Sequence, residues 1–252
     1  MQREQRRRLS KHNMRTLDLP PPFQLVMLRE VGDAFAHARA HAAELGAGTL
    51  VFVGRFDPAE FAVVLEPDEP LATARRAFYA CMVALGDALA APAPPEKPIV
   101  IEWPDAIYVD RGLIGGGQLA WPDHADERAA PDWLVFGAAI RTVSLSREES
   151  GLHPLSTALE TESFGDVSAE RLVEGFVRHL MVAIDRWQES GFAPIAQKYI
   201  SKLNPEDGIC RNIGDNGDLG RRRAGELIEY RKLLPALKTP SWLDPRTRAP
   251  RL

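Results

Sequence analysis

The stretch Ile101-Glu102-Trp103-Pro104-Asp105-Ala106-Ile107-Tyr108-Val109-Asp110-Arg111-Gly112-Leu113-Ile114-Gly115-Gly116-Gly117-Gln118 decides how this chain is read. Pro98–Glu102, Ala106–Val109 and Leu113–Ala120 are short β-like runs separated by turn formers. Asp110-Arg111-Gly112 is a hairpin-type turn between the second and the third. The glycine triplet Gly115-Gly116-Gly117 has two readings. Bare backbone lets amides approach a ligand closely and form a carboxylate nest, while glycines also mark plain bulges in a strand.

Outward from this stretch, strands alternate irregularly with helices. Upstream, Phe23–Leu28 reads as a buried strand, and an alanine-rich helix follows from about Gly32 to Leu45. Thr49–Val53 and Glu60–Leu65 are strands joined across Gly54-Arg55-Phe56-Asp57-Pro58. Pro70–Leu89 has apolar residues at helical spacing and predicts one long core-facing helix. Downstream, Trp133–Leu145 is a strongly apolar strand, and residues 146–167 form a loop. Ser168 is placed to cap an amphipathic helix running to Glu189, and Phe192–Leu203 is a second helix. This order, without strict βαβ alternation, predicts an α+β layer fold. After Asn204-Pro205 the chain becomes glycine-punctuated, so residues 204–252 read as a small β-rich domain too short to fold well alone.

The 252 residues are 45% hydrophobic and 26% charged, ordinary values for a globular chain. No apolar run approaches a bilayer-spanning length, and the two cysteines, Cys81 and Cys210, exclude a disulfide scaffold. The net charge of −4 conceals a segregation: residues 1–15 carry +5, residues 16–204 carry −12 and residues 205–252 carry +3. The arm has no apolar segment of the secretory kind, and Pro20-Pro21-Pro22 closes it, so residues 1–22 are expected to be a disordered basic arm on a cytoplasmic protein. No aromatics interleave its arginines, which argues against nucleic acid.

The decisive stretch resembles the biotin and lipoate protein ligase family, which has Lys-Trp-Pro-Asn-Asp, a hairpin, and then Lys-(Ile/Leu)-(Ala/Gly)-Gly. Phe136-Gly137-Ala138-Ala139-Ile140-Arg141 looks like that family's later Gly-x-Gly-Ile-Asn strand, and Thr157-Ala158-Leu159 resembles the loop after it. Gly208–Leu219 is similar to the start of the C-terminal β-domain of biotin ligases. The match is colinear over residues 23–235. It implies an α+β fold with a mixed β-sheet flanked by helices, a ligase-like domain at 23–203 and an appendage at 204–252. It also implies ATP, biotin or lipoate, and a biotinyl- or lipoyl-carrier domain whose lysine is acylated. Octanoyl transferases of the same superfamily move an acyl chain without ATP.

Departures from that pattern fall on charged positions. Glu102 stands in place of the first family lysine, Leu113 in place of the second, Asp105 for asparagine, Ala106 for aspartate and Arg141 for asparagine. Adenylate chemistry needs cations against developing negative charge and a loop that excludes water. Here the loop is only Gly54–Pro58, carrying Arg55 and Asp57. If Glu102 and Arg141 lie on neighbouring strands they can pair, which conserves site charge while changing what is recognised. Three readings stay open: an ATP-dependent ligase, an ATP-independent acyltransferase, and a non-catalytic ligand-binding or accessory protein. The candidate ligand contacts are Arg55, Asp57, Glu102, Trp103, Asp105, Gly115, Gly116, Gly117, Gln118 and Arg141, around a small acyl-like molecule.

Other signals are weaker. Asp33, His37 and His41 share a helix face but lack a fourth ligand, so no metal is expected. Cys81 reads as core, Cys210 has no adjacent histidine, and no Gly-x-Ser-x-Gly elbow is present. Oligomeric state is left open.

Overall fold

The computed structural model describes residues 17–144, 155–165 and 167–251. Seven strands form one mixed sheet in the order β1-β2-β3-β7-β6-β5-β4. They are β1 (Gln24–Leu28), β2 (Thr49–Val53), β3 (Ala59–Leu65), β4 (Ile99–Glu102), β5 (Ala106–Val109), β6 (Gly112–Ala120) and β7 (Leu134–Ile140). Only β1 and β2 run parallel, and the other neighbours are antiparallel. The decisive stretch is thus β4, β5 and β6, with Asp110 and Arg111 both at positive φ in the hairpin turn. That pair of left-handed residues gives the turn the twist of its flanking strands.

Helices cover one face of the sheet. These are α2 (Leu71–Ala74), α3 (Ala77–Ala90), α4 (Ala169–Ser190) and α5 (Ala193–Lys202). α3 is apolar nearly all round because it lies beneath α4 and α5, and a helix buried on every side needs no polar face. Phe61, Phe78, Phe136 and Phe176 fill the space between them and the sheet. Ser168 caps α4 by accepting from the Arg171 N–H at 3.3 Å. The opposite face carries α1 (Ala34–Leu45), whose Ala34, Ala38 and Ala42 lie on Val51, Val53, Ala62, Val64 and Val135.

Past α5, β8 (Ile209–Ile213), β9 (Leu219–Arg223) and β10 (Glu229–Arg231) form a three-stranded antiparallel sheet. Leu219, with Leu233 and Leu237 of α6 (Leu233–Leu237), joins it to the main core. Residues 238–251 then leave this small sheet and return to the large one, lying along the face that α1 leaves open; we call them the strap.

Several expectations need correction. β1 is a half-exposed edge strand rather than a buried one, since only β2 pairs with it. The single helix expected over 70–89 is broken at Arg75-Arg76 into α2 and α3. The strand expected over 133–145 ends at Ile140, because the Thr142 and Val143 amides turn to Asp57. Residues 17–22, counted with the basic arm, belong in part to the folded chain. Leu17 is buried in the core, and Asp18 meets Glu174 and Arg178 on α4, while residues 1–16 lie outside the described residues. Part of the loop expected at 146–167 lies outside them as well, with residues 145–154 and 166 not described.

Candidate functional site

Sheet register carries one row of residues straight across the open face. Glu102, Ala106, Gly116, Ala139 and Glu60 are successive partners on β4, β5, β6, β7 and β3. Partners in register point to the same side, and four strand spacings separate the two glutamates by about 19 Å. The three residues between them carry a methyl group or less. The row is therefore a shallow trough with a carboxylate at each end.

Trp242 of the strap fills this trough. Its ring packs with Ala106, Leu113 and Ala139 and is 1% exposed. A side chain at Gly116 would come within 2.5 Å of the indole. The Trp242 Nε1–H donates to the Gly117 carbonyl at 2.9 Å. On one side of the ring, Ser241 donates to Asp105 through its backbone N–H at 2.8 Å and its hydroxyl at 2.6 Å. On the other, the Arg141 guanidinium donates to the Pro250 carbonyl at 2.8 Å. Burial raises the Asp105 carboxyl above its usual range, against the pull of the two Ser241 donors. Each glycine of the triplet is bare for a different reason. Gly115, at φ +145°, lies against the Ala139 carbonyl, Gly116 accommodates the indole, and Gly117 makes room for Phe136 and Met82.

Between α1 and the strap lies a cavity of about 480 Å³. Glu60, Gln118 and Ala139 line its floor, Phe35 and Arg39 its α1 wall, and Trp242, Leu243 and Arg248 its strap wall. Arg55 enters at the base, where its Nη1 lies 3.2 Å from Glu60 and its Nη2 donates to the Gly32 carbonyl. The Arg55 Nε is buried without a hydrogen-bond partner. Glu60 also accepts from the Ala34 N–H at 2.8 Å, yet burial holds its carboxyl above the ordinary carboxylate range. Arg248 pairs with Asp33 at 2.6 Å, bringing a cation from the basic tail to a face the acidic body would otherwise dominate. Three guanidiniums, two carboxylates and one amide thus surround an aromatic-walled space.

The residues expected to line one pocket separate into groups. Arg55 and Gln118 line the cavity, and Asp105, Gly116, Gly117 and Arg141 hold the strap. Asp57 accepts from the Thr142 N–H and hydroxyl and from the Val143 N–H, tying the short 54–58 loop to the end of β7. Trp103 points to the helical face, donating to the Tyr79 hydroxyl at 3.0 Å, which in turn donates to Gly217 of the small sheet. Arg231 stacks 4.6 Å above the Trp103 ring. Glu102 is exposed at the end of β4 beside Tyr108, and β5 and β6 lie between β4 and β7, so it does not pair with Arg141. Asp33 caps α1 by accepting from the Ala36 N–H, and the His37 and His41 rings lie 4.7 Å apart, tilted by 42°. Among the described residues no group of three or more histidine, cysteine, aspartate or glutamate side chains is placed to hold a metal.

Sequence reasoning missed Glu60, Ser241, Trp242 and Arg248. Glu60 carries the one available signal, a charged residue inside an otherwise apolar strand. The strap residues have no local pattern, because their partners lie more than a hundred positions away.

Comparisons with known proteins agree with this fold. The profile of the Biotin/lipoate A/B protein ligase family matches residues 19–201, so the chain belongs to that family. Among solved structures, a biotin protein ligase-like protein of unknown function from Silicibacter sp. TM1040 is 27% identical with a TM-score of 0.74, over 88% of this chain and 99% of that one. The apo biotin protein ligase of Aquifex aeolicus is 15% identical with a TM-score of 0.64, over 82% of this chain and 95% of that one. The same organism's ligase in complex with biotin and ATP is 16% identical with a TM-score of 0.58, over 83% and 99%. No curated protein matches the chain.

Proposed function

We propose that this chain is a ligand-binding member of its family, which holds a small carboxylic acid with an apolar body in the cavity between α1 and the strap and does not adenylate it. One observation carries the reading: Trp242 of the chain itself lies on the Gly116–Gly117 strand, between the two positions where the family's lysines are replaced by Glu102 and Leu113. The cavity supplies what such an acid needs. Phe35 and Trp242 offer apolar walls, and the guanidiniums of Arg39 and Arg248 at the α1 and strap walls offer cations with which a carboxylate would form a charge-assisted hydrogen bond.

The residues present do not fit a nucleoside triphosphate. Arg55 of the short loop is already committed to Glu60 and Gly32, and Glu102, Glu60 and Asp33 would repel a polyanion along the face. Ligands of the relatives, biotin and ATP in the Aquifex aeolicus ligase, therefore guide the choice of acids to test rather than a reaction. Acyl transfer through cysteine finds little support, since Cys81 is buried with its thiol pushed upward and Cys210 lies on the small sheet. A cytoplasmic location belongs to this proposal; among the described residues no helix is long and apolar enough to cross a membrane.

Isothermal titration with octanoate, lipoate, biotin and ATP, alongside pyrophosphate release, tests the reading. Heat from at least one acid, none from ATP and no pyrophosphate is the expected pattern. Arg248→Ala should weaken acid binding about tenfold or more, the size of a lost hydrogen bond to a charged group. Pyrophosphate release with any of the acids would return the chain to the ligases and its carrier domain to the list of partners.

A further inference from the structure

We infer that Trp242 is an internal stand-in for a ligand ring and is the residue that fixes the size of ligand the site accepts. The trough beneath it is built for a planar group. Ala106, Gly116 and Ala139 keep three adjacent strands free of bulk, and the Gly117 carbonyl waits for an N–H in the ring plane. Main-domain atoms make every one of these contacts, so the ring site exists independently of the residue that fills it.

Two features separate the ring from the wall that carries it. The strap is anchored on either side of Trp242, by Ser241 on Asp105 and by Arg141 on Pro250, and it closes on itself through the Arg251 N–H to the Trp242 carbonyl at 2.8 Å. These anchors use backbone or neighbouring side chains and survive removal of the indole. Trp242 and Ala139 also line the 480 Å³ cavity, so the indole that fills the trough is at the same time part of the cavity wall. With the ring present, a ligand is confined to the α1 side; without it, the two spaces merge and a longer or bicyclic molecule fits. This consequence for ligand size rests on the cavity being the ligand site, whereas the ring site does not.

The test uses the full chain with Trp242→Gly, probed with indole, with benzothiophene as an isostere lacking the N–H, and with indole-3-acetate. Indole is expected to raise the melting temperature of the variant by several degrees and to leave the wild type unchanged. Benzothiophene should bind the variant about fivefold more weakly, the factor expected for one lost hydrogen bond. Indole-3-acetate should bind the variant at least tenfold more tightly than the wild type. A folded variant that indole does not stabilise, or a wild type that binds indole-3-acetate equally well, would overturn the inference. Should the glycine variant not fold, Trp242→Phe with a series of straight-chain acids takes its place. Acceptance of acids two or more carbons longer than the wild type's limit supports the inference, and an unchanged limit defeats it. A variant that binds indole while the wild type binds no acid would sink the cavity reading and leave the ring site standing.

Discussion

One sheet face is covered twice, by two devices that have little in common. Over β2, β3 and β7 lies α1, with Ala34, Ala38 and Ala42 repeating every fourth residue so that one smooth stripe meets Val51, Val53, Ala62, Val64 and Val135. Over β5, β6 and β7 lies the strap, which has no repeat at all. It contributes one large ring and a few hydrogen bonds to Asp105, Gly117 and Arg141. The helix spreads its adhesion over many small contacts, each replaceable, whereas the strap concentrates it in a few. Binding sites form more readily beside the second kind of cover, because a wall held at discrete anchors leaves unfilled space between them, here the cavity.

The difference can be broken at four points. Trp242→Ala should have the largest effect, a loss of about 3–5 kcal/mol in urea unfolding, as for other aromatic truncations that leave a cavity. A loss under about 1 kcal/mol would mean that the polar anchors alone hold the strap. Asp105→Ala should cost about 1–3 kcal/mol by leaving the Ser241 donors unpaired. It should also remove a pH dependence. Burial raises the Asp105 carboxyl in the folded chain, so its contribution is present below the unfolded value near 3.8 and is lost as pH rises through the folded value. Stability measured from pH 4 upward should therefore decline less steeply in the variant. On the helix side, Ala38→Leu should cost about 1–3 kcal/mol through overpacking, with no change in acid binding. Arg248→Ala should be the mildest for stability, at most about 1 kcal/mol for an exposed pair, while still weakening binding in the cavity.

How much of this is legible in the sequence follows from the same contrast. The strands, α1 and α4 announce themselves because alternation and three-to-four spacing repeat within a few residues, and the family pattern from Glu102 to Gly116 is likewise local. The break at Arg75-Arg76 is illegible because apolar spacing continues through it, and the docking of Leu17-Asp18 is illegible because Asp18 finds its partner Glu174 on α4, 156 positions away. At the site, the glycine triplet and Asp105 stand out, but their role depends on Trp242 and Ser241, brought to them by a chain reversal no spacing encodes. The condition on which Glu102 and Arg141 could pair, neighbouring strands, is not met, and sequence order gives no hint that two strands intervene. The near-neutral total of −4 is equally uninformative until the strap is seen to bring Arg248 back over the acidic body.

The strap also has a consequence in time. Trp242 and Gly117 are separated by 125 positions, and Ser241 and Asp105 by 136, so these contacts close some of the longest loops in the molecule. Loop closure of that length carries an entropic penalty that local helices and hairpins do not meet, and long-range contacts form late for that reason. The sheet and its helices should therefore assemble first, with the trough still open to water, and the strap should seal it in the final step. The Trp242 part of the fluorescence change on refolding, taken by difference from Trp242→Phe because the chain has five tryptophans, would then lag behind the far-ultraviolet signal of the helices, and the cavity would come into being only at the end of that lag.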